Sequence, residues 1–307
     1  RWDVVVCETV SVSVCVQYCP VWMDPDANRE RVWDMLIQRK ADLVSPAAEE
    51  EHVCVIVLPE MTFTGYVFHS VEEVLPVCET GQNPQEPTRQ WCAKVAKEFH
   101  CFVQCGFPQK VEQPPAEDPL LYNSVMLVDP QGELVFLYSK AFLYTTDEAW
   151  AQEGPGFLSL KVPGLGQVGS AICMDINPYR FESPFNRFEC ATFHRDQGTS
   201  LLLFSANWLL SPEEETSVPE MTSKQEREDF LEHLTYWMTR LSPMLGRPAL
   251  FVASNRVGVE RGSLFCGKSM VVDLQSGEVL GHLDYREESI LIVEALTPTS
   301  TLNPIPP

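Results

Sequence analysis

The stretch HVCVIVLPE, residues 52–60, is a short and continuous apolar run that ends on a carboxylate. A run of this length without polar alternation is typical of a strand whose two faces are both covered by other elements. Stretches with the helical spacing of apolar residues lie on either side of it, after Asp24 and around 87–100. This order of elements predicts an α/β fold in which helices cover the faces of a sheet.

The second half of the chain repeats the order of the first. Strand-like segments occur at SVSVCVQY (11–18), CFVQCGF (101–107) and a hairpin over 121–140, and then at VGSAICMD (168–175), TSLLLFSANW (199–208) and ALFVASNRVG (249–258). The turn of SVMLVDPQGELV (124–135) is similar to that of SMVVDLQSGEVL (269–280). We predict a single domain over 1–297 that consists of two related halves, followed by a Pro-rich tail at 298–307.

The charge of the chain narrows the classes of partner. Its 22 Lys and Arg residues stand against 43 Asp and Glu residues, which gives a formal charge of −21. Because phosphate contacts need clustered cations, this balance argues against nucleic acid and against an anionic membrane surface. No apolar run reaches the length of a transmembrane helix. A cationic or uncharged substrate is compatible with the sequence.

The eleven cysteines are an odd and high number. Most lie in apolar runs such as HVCVIVLP and FVQCGF, where a free thiol behaves as a small hydrophobic group. Cys15 and Cys19, like Cys101 and Cys105, have metal-like spacing, but no second pair of ligands accompanies them, which disfavours zinc. Buried free thiols indicate a reducing compartment, and we predict the cytoplasm, with the nucleus as an alternative.

The segment GLGQVG, from Gly164 to Gly169, has the G-x-G-x-x-G spacing of a dinucleotide-binding loop. That loop requires a strand before it and a helix after it. Here the glycines follow Pro163 and lead into the apolar strand VGSAIC, so no helix N-terminus is available for a pyrophosphate. We predict a turn between two strands and no dinucleotide cofactor.

Three reactive side chains follow buried strands: Glu60 after HVCVIVLP, Lys140 after LVFLYS and Cys173 after VGSAI. In α/β proteins, reactive groups are usually displayed at the carboxyl ends of strands. A thiol, a carboxylate and a cation together supply a nucleophile, an acid/base and a charge for an oxyanion. Taken singly, each residue also fits an ordinary role, as a buried thiol, a salt bridge or a solvated strand end.

The motifs around these residues resemble those of the nitrilase, or carbon–nitrogen hydrolase, superfamily. LPEMTFTGY is similar to its glutamate motif, YSKAFLY to its lysine motif and SAICMD to its cysteine motif, and other similar segments extend the resemblance over about 15–295. The resemblance implies a four-layer αββα sandwich with Glu60, Lys140 and Cys173 as the catalytic triad. It also implies that the backbone N–H of Met174 lies beside the oxyanion, and that no metal or organic cofactor takes part.

Within the superfamily, CMDINPYRFESPF most resembles the eukaryotic amidases that deamidate N-terminal Asn and Gln of proteins in the N-degron pathway. The resemblance implies peptide or protein N-termini as substrates and release of ammonia through a cysteine thioester. Asn177, Pro178 and Tyr179 carry this finer resemblance, and Tyr179 is a candidate for substrate binding. Family members often dimerise, and both a monomer and a homodimer are compatible with the sequence.

Four further residues each have two interpretations. Glu148 fits either the second glutamate that amidases place beside the nucleophile or a solvated loop position. Tyr66 and Trp208 fit either the walls of a substrate pocket or core packing. Asp175 fits a role in holding the local backbone better than contact with substrate. A terminal ammonium in a partly dry pocket needs a carboxylate partner, and the candidates near the motif loops are Asp24, Asp26, Asp147, Glu148, Asp175 and Glu182.

Two other functions are compatible with parts of the sequence. A small-molecule ω-amidase or carbamoylase would use the same Glu-Lys-Cys set, whereas a scaffold or thiol sensor would use the fold without catalysis. The intact set argues against the scaffold, and the segment MDINPYRFE argues against the small-molecule enzymes. Ammonia release from Asn-peptides, glutamine derivatives and carbamoyl compounds separates the three.

Overall fold

The computed structural model describes residues 4–43, 53–114, 118–211 and 221–302. The strands of the first half are β1 (Val4–Gln17), β2 (Val53–Val57), β3 (Cys101–Val111), β4 (Leu120–Val128) and β5 (Leu134–Ser139). Its helices are α1 (Pro25–Gln38), α2 (Lys40–Leu43), α3 (Val71–Val74) and α4 (Pro87–Phe99). Asp24 caps α1 by accepting a hydrogen bond from the backbone N–H of Ala27 at 3.2 Å, as expected for an Asp-Pro helix start.

The second half contains the remaining strands and two helices. The strands are β6 (Leu158–Val162), β7 (Gly166–Ile172), β8 (Leu201–Ala206), β9 (Leu209–Ser211), β10 (Leu250–Asn255), β11 (Val257–Glu260), β12 (Ser263–Cys266), β13 (Met270–Asp273), β14 (Glu278–His282) and β15 (Ser289–Leu302). The helices are α5 (Glu189–Gln197) and α6 (Ser223–Arg240). Thr222 and Gln225 form a capping box at the start of α6.

Two six-stranded sheets have matching topologies. The first has the order β15-β1-β2-β3-β4-β5 and the second has the order β14-β13-β10-β8-β7-β6. In each, three parallel strands (β1, β2, β3 or β7, β8, β10) lead to an antiparallel hairpin on one side and to a single antiparallel strand on the other. This correspondence confirms the prediction of two related halves and explains the similar hairpins at 124–135 and 269–280.

Helices cover the outer face of each sheet, so the layers run αββα. Trp91, Val95 and Phe99 form the buried stripe of α4 and pack on the first sheet, in the core cluster that also contains residues of α1. On the second sheet, Trp237 of α6 packs edge-on against Phe204 of β8, with ring centroids 5.2 Å apart. The four-layer sandwich predicted from the sequence is therefore confirmed.

The glycine segment at 164–169 and the C-terminal residues can be compared with what the sequence predicts for them. The glycines at 164–169 form the turn between β6 and β7 and the start of β7, in agreement with the predicted turn. Residues 266–273 span the end of one strand and the whole of the next, since Cys266 ends β12 and Met270 begins β13. β15 pairs with β1 as far as Leu302, so residues 298–302, predicted to belong to a tail, continue a strand, while 303–307 lie outside the described residues. Among the described helices, none is long and apolar enough to cross a membrane.

Candidate active site

Glu60 lies just beyond β2, at the edge where the parallel strands of both sheets end. Its position depends on Gly106 of the neighbouring strand β3, where a Cβ atom would lie 2.8 Å from the Cα of Glu60 and 2.6 Å from the carbonyl oxygen of Pro59. Any side chain at position 106 would therefore push the Glu60 backbone away. The glutamate carboxylate is 1% exposed, so its charge depends on protein partners.

Lys140 supplies the nearest cation and is fully buried between two carboxylates. Its Nζ lies 2.6 Å from Oε1 of Glu60 and 2.5 Å from Oδ2 of Asp147. Burial opposes the charge on the ammonium, but Asp147 and Glu60 together raise the pKa of Lys140 above its ordinary value. The lysine is therefore held as a cation, and the three charges leave one net negative charge beside the nucleophile.

Two asparagines hold the Glu60 carboxylate in place. The Nδ2 of Asn123 donates to Oε1 of Glu60 at 2.6 Å and to Oδ1 of Asp147 at 2.9 Å. The backbone N–H of Asn207 donates to Oε2 of Glu60 at 2.8 Å, and its side-chain amide donates to the Glu60 carbonyl at 2.9 Å. The carboxylate is thus satisfied on both oxygens, which fixes its direction.

Cys173 follows β7 directly and has a left-handed backbone conformation, with φ of +38°. A non-glycine residue in this conformation is strained, and such strain is often found at functional positions. The side chain is 8% exposed and reaches the floor of a cavity of about 290 Å³. The sharp change of direction after the strand therefore presents the thiol to the cavity.

The surroundings of Cys173 favour the neutral thiol. Burial, followed by the charge of Glu60, raises the pKa of Cys173 well above its ordinary value, although Lys140 and the N–H of Asn207 act in the opposite direction. Burial also raises the pKa of Glu60, and Asp147 adds to this effect while Lys140 opposes it. Lys140 by itself favours the thiolate, but burial outweighs its contribution. A proton acceptor is consequently needed during attack, and Glu60 is adjacent.

Asp175 ties the loop of Cys173 to the loop of Lys140. Its Oδ1 accepts from the backbone N–H groups of Ala141 and Phe142 at 3.0 and 2.9 Å, and its Oδ2 accepts from Ile172 N–H and the Tyr138 hydroxyl, both at 2.7 Å. Burial raises the pKa of Asp175 to about 6, against the effect of these donors. All four bonds are internal, so the structure favours the backbone-holding interpretation of this residue over contact with substrate.

Five aromatic side chains line the cavity. Tyr66 and Trp208, which the sequence left between pocket and core, both line it, and they are joined by Tyr144, Phe181 and Tyr236. Met174 lies beside Cys173 on the same surface. Asn177 also faces the cavity, where its Oδ1 accepts a hydrogen bond from the Tyr236 hydroxyl at 2.6 Å. Of the described residues that line this cavity, none is Asp or Glu, so none of them is the carboxylate expected for a substrate ammonium.

Two candidates from the sequence lie elsewhere. Glu148 is exposed and does not line the cavity, whereas its neighbour Asp147 is fully buried against Lys140. The one-residue difference arises from the 3₁₀ turn over Asp147–Ala149, which directs the first carboxylate inward. Tyr179 also lies outside the cavity wall, because its hydroxyl donates to Glu153 at 2.8 Å and its ring packs on Phe142.

We expect Asp147→Asn to lower kcat by on the order of 10²-fold, while Glu148→Gln changes it by less than about twofold. The Asn variant removes one of the two charges that hold Lys140, and a charge-assisted bond in a buried site is worth about 1.5–3 kcal/mol. Steady-state ammonia release and thermal melting of both variants check this. Equal losses in the two variants, or none in Asp147→Asn, would contradict the assignment.

The described residues contain no group of three or more His, Cys, Asp or Glu side chains arranged to hold a metal ion. Lys140 fills the space between Glu60 and Asp147, where a cation would otherwise be placed.

Comparisons with known proteins agree with this geometry. Residues 14–178 match the carbon–nitrogen hydrolase family. The protein N-terminal amidase of Schizosaccharomyces pombe is 33% identical over 298 residues, which covers 91% of this chain and 98% of that protein. Two crystal structures of N-terminal amidase, one with an Asn-Glu peptide and one with a Gln-Val peptide, are similar at a TM-score of 0.77 and 20% identity, over 95% of this chain and 98% of theirs.

The solved structures are 20% identical to this chain and show that the fold is shared. The match to the family and the 33% identity to the Schizosaccharomyces pombe protein show common descent. The chain belongs to the carbon–nitrogen hydrolase family and is a hydrolase of carbon–nitrogen bonds other than peptide bonds.

Proposed function

We propose that this enzyme removes the side-chain amide of N-terminal Asn and Gln in peptides and proteins, giving Asp or Glu and ammonia. The observation that carries the proposal is the buried Glu60–Lys140–Asp147 cluster beside Cys173, at the floor of a cavity of about 290 Å³. A space of this size lies at the small end of ligand pockets and suits one terminal residue rather than a length of chain. The relative in Schizosaccharomyces pombe, a protein N-terminal amidase, supports the same substrate class.

The geometry supports a two-step acyl transfer. As the Sγ of Cys173 bonds to the side-chain carbonyl carbon, Glu60 takes the thiol proton, because the neutral thiol is the resting form. The carbonyl oxygen gains charge and is stabilised by the ammonium of Lys140 and the backbone N–H of Met174. Glu60 then gives the proton to the leaving nitrogen, the C–N bond breaks, and ammonia departs from a thioester.

The second step reverses the proton path. Glu60 accepts a proton from a water molecule as the water oxygen bonds to the thioester carbon, and the C–S bond breaks as the proton returns to Sγ. The product is a carboxylate at the former amide position. Asp147 does not exchange protons in this sequence; it keeps Lys140 charged and in place throughout.

Such a product gives a peptide a new acidic N-terminal residue, and we propose the N-degron pathway of the cytoplasm as its setting. The cysteines whose side chains are described are free thiols, which supports a reducing compartment.

The enzyme is expected to require a free α-amino group beside the amide that it hydrolyses. The aromatic wall offers ring faces to an ammonium, and a desolvated cation–π contact is worth about 2 kcal/mol. Acetylation removes this charge and adds bulk, so kcat/KM should fall on the order of 10–100-fold. The measurement compares ammonia release from Asn-X-X and Gln-X-X peptides with release from their N-acetylated forms.

Internal Asn peptides and free glutamine derivatives serve as controls under the same conditions. Equal rates on free and acetylated peptides would remove the N-terminal assignment and favour a general amidase. Faster release from small free amides or carbamoyl compounds would favour a small-molecule enzyme with the same catalytic residues.

A further inference from the structure

Glu260 is a buried carboxylate at the end of β11 that has no part in the reaction described above. Its side chain is 4% exposed. One oxygen, Oε1, accepts hydrogen bonds from the backbone N–H groups of Tyr66 and Val67, each at 2.7 Å. The other, Oε2, accepts from Nη1 of Arg256 at 2.9 Å. A single carboxylate therefore connects β11 to the loop that follows Glu60.

Arg256, the salt-bridge partner of Glu260, is also buried. Its side chain is 1% exposed, and its guanidinium lies 4.0 Å above the ring of Phe265. Its Nε and Nη2 atoms have no hydrogen-bond partner, so Glu260 provides its only salt bridge among the described residues. Burying such a pair costs more than burying an apolar pair of similar size, so a gain in stability alone does not account for it.

The group that Glu260 positions is Tyr66. This residue lines the cavity, and its ring centroid lies 5.7 Å from Nζ of Lys140 while its hydroxyl is 3.4 Å from Oδ2 of Asp147. The preceding residue, Gly65, has φ of +83°, and a Cβ atom there would lie 2.8 Å from Oε2 of Glu260. The loop can approach the carboxylate this closely only with glycine at that position.

The same segment also holds the backbone of Trp208, a second residue that lines the cavity. Asn255 is the last residue of β10, and its Oδ1 accepts a hydrogen bond from the backbone N–H of Trp208 at 2.9 Å. Its Nδ2 donates to the carbonyl oxygen of Gly267 at 2.6 Å, which fixes the orientation of the amide. Residues 255–260 therefore set the positions of the backbones that carry Tyr66 and Trp208, and with them the width of the cavity.

We propose that Glu260 is a positioning residue: it places Tyr66 against the Lys140–Asp147 pair and so sets the width of the cavity above Cys173. It acts through Tyr66 and does not touch the substrate. The identity of that substrate rests on the function proposed above. Without the carboxylate, the backbone of Tyr66 loses two charge-assisted hydrogen bonds and its ring moves away from the catalytic cation.

The test uses Glu260→Gln, which keeps the size of the side chain and one acceptor, together with Glu260→Ala. The matched control is Glu73→Gln. Glu73 pairs with Arg261 at 2.8 Å, and Arg261 donates to the Val67 carbonyl, so this pair holds the same loop, but both side chains are about one-third exposed and neither lines the cavity. Misplacement of a positioning group by about 1 Å can cost on the order of 10²-fold.

We expect kcat/KM for an Asn-X-X peptide to fall about 10²-fold in Glu260→Ala, with a raised KM, less in Glu260→Gln, and less than about threefold in Glu73→Gln. A second measurement follows the rate at which iodoacetamide alkylates each cysteine, by peptide mapping. Because the wall opens, Cys173 should be alkylated faster in the Glu260 variants, while the buried Cys190 stays unmodified as in the wild type. General loosening of the fold would expose both cysteines.

Three results would overturn the proposal: equal effects in Glu260→Gln and Glu73→Gln, faster alkylation of Cys190 together with Cys173, or failure of Glu260→Gln to fold. The alkylation measurement needs no amide substrate. If the wild type releases no ammonia from peptides but Cys173 alone becomes more reactive in the variants, the proposed function fails and the positioning role stands. If peptides are hydrolysed and the variants behave as wild type in both measurements, the positioning role alone fails.

Discussion

Cys173→Ala is expected to release ammonia from Asn-peptides at least ~10³-fold more slowly than the wild type, the largest effect expected of any cysteine in the chain. Among the cysteines whose side chains the structure describes, only this one combines a position on the cavity floor with Glu60 and Lys140 near enough to shift its pKa in opposite directions. The alanine should also abolish the covalent thioester, which intact-mass measurement on a quenched reaction would detect in the wild type.

Two other buried thiols are matched controls for this substitution. Cys105 lies in β3 and Cys190 in α5, and each is at most 1% exposed and absent from the cavity wall. Cys105→Ala and Cys190→Ala should keep kcat within about threefold and lower the melting temperature, since each removes packed volume from the core. Near-wild-type ammonia release by Cys173→Ala would show that the covalent mechanism is wrong.

Glu60→Gln is expected to reduce single-turnover acylation by about 10³-fold or more while the protein stays folded. Gln keeps the size of the side chain, and its single amide oxygen can still accept from Asn123 or from Asn207, but it cannot take the proton of a thiol that rests in its neutral form. The measurement pairs burst kinetics with thermal melting. A loss of acylation that merely follows a loss of folded protein would argue against a role as the base.

The pH profile gives an independent check on the same substitution. Burial raises the pKa of Glu60, so its basic form is lost as the pH falls through a value above the ordinary one, about 4.5. The acid limb of kcat/KM in the wild type should therefore lie above that pH, and the residual activity of Glu60→Gln should lack this limb. Glu79→Gln is the control, because burial also raises the pKa of Glu79, yet this carboxylate binds Thr88 at the start of α4, away from the site. Its acid limb should match that of the wild type.

The sequence predicted those parts of the site that depend on strand ends. Glu60, Lys140 and Cys173 each follow a buried strand, and parallel strands bring their carboxyl ends to one edge, so this pattern and the resemblance of the surrounding motifs together selected them. Asn123 and Asn207 were not selected as partners of Glu60. Their role depends on the register between β3 and β4 and on the distance between the two sheets, and neither quantity leaves a mark in a single sequence.

The sequence also does not show which of two adjacent carboxylates contacts Lys140. Asp147 and Glu148 are both acidic and adjacent, and only the 3₁₀ turn at 147–149 determines which of them points inward. Glu260 was not singled out either, because its partners are the N–H groups of a loop almost 200 positions earlier in the chain. Predictions from the sequence were therefore reliable for groups fixed by one element and unreliable for groups fixed by contacts between elements.

Because Glu60 and Lys140 come from the first sheet while Cys173 and Asn207 come from the second, neither half of the pseudo-repeat contains a reaction centre of its own. The sheet-to-sheet interface is thus part of the chemistry, and catalysis becomes possible only when the halves have docked. A nascent chain that has completed its first half already contains Glu60 and Lys140 but does not yet contain Cys173. Cys173 is synthesised afterwards and meets Glu60 only when the second sheet packs on the first. Amide hydrolysis therefore requires the assembled sandwich, and a half-folded molecule is inactive.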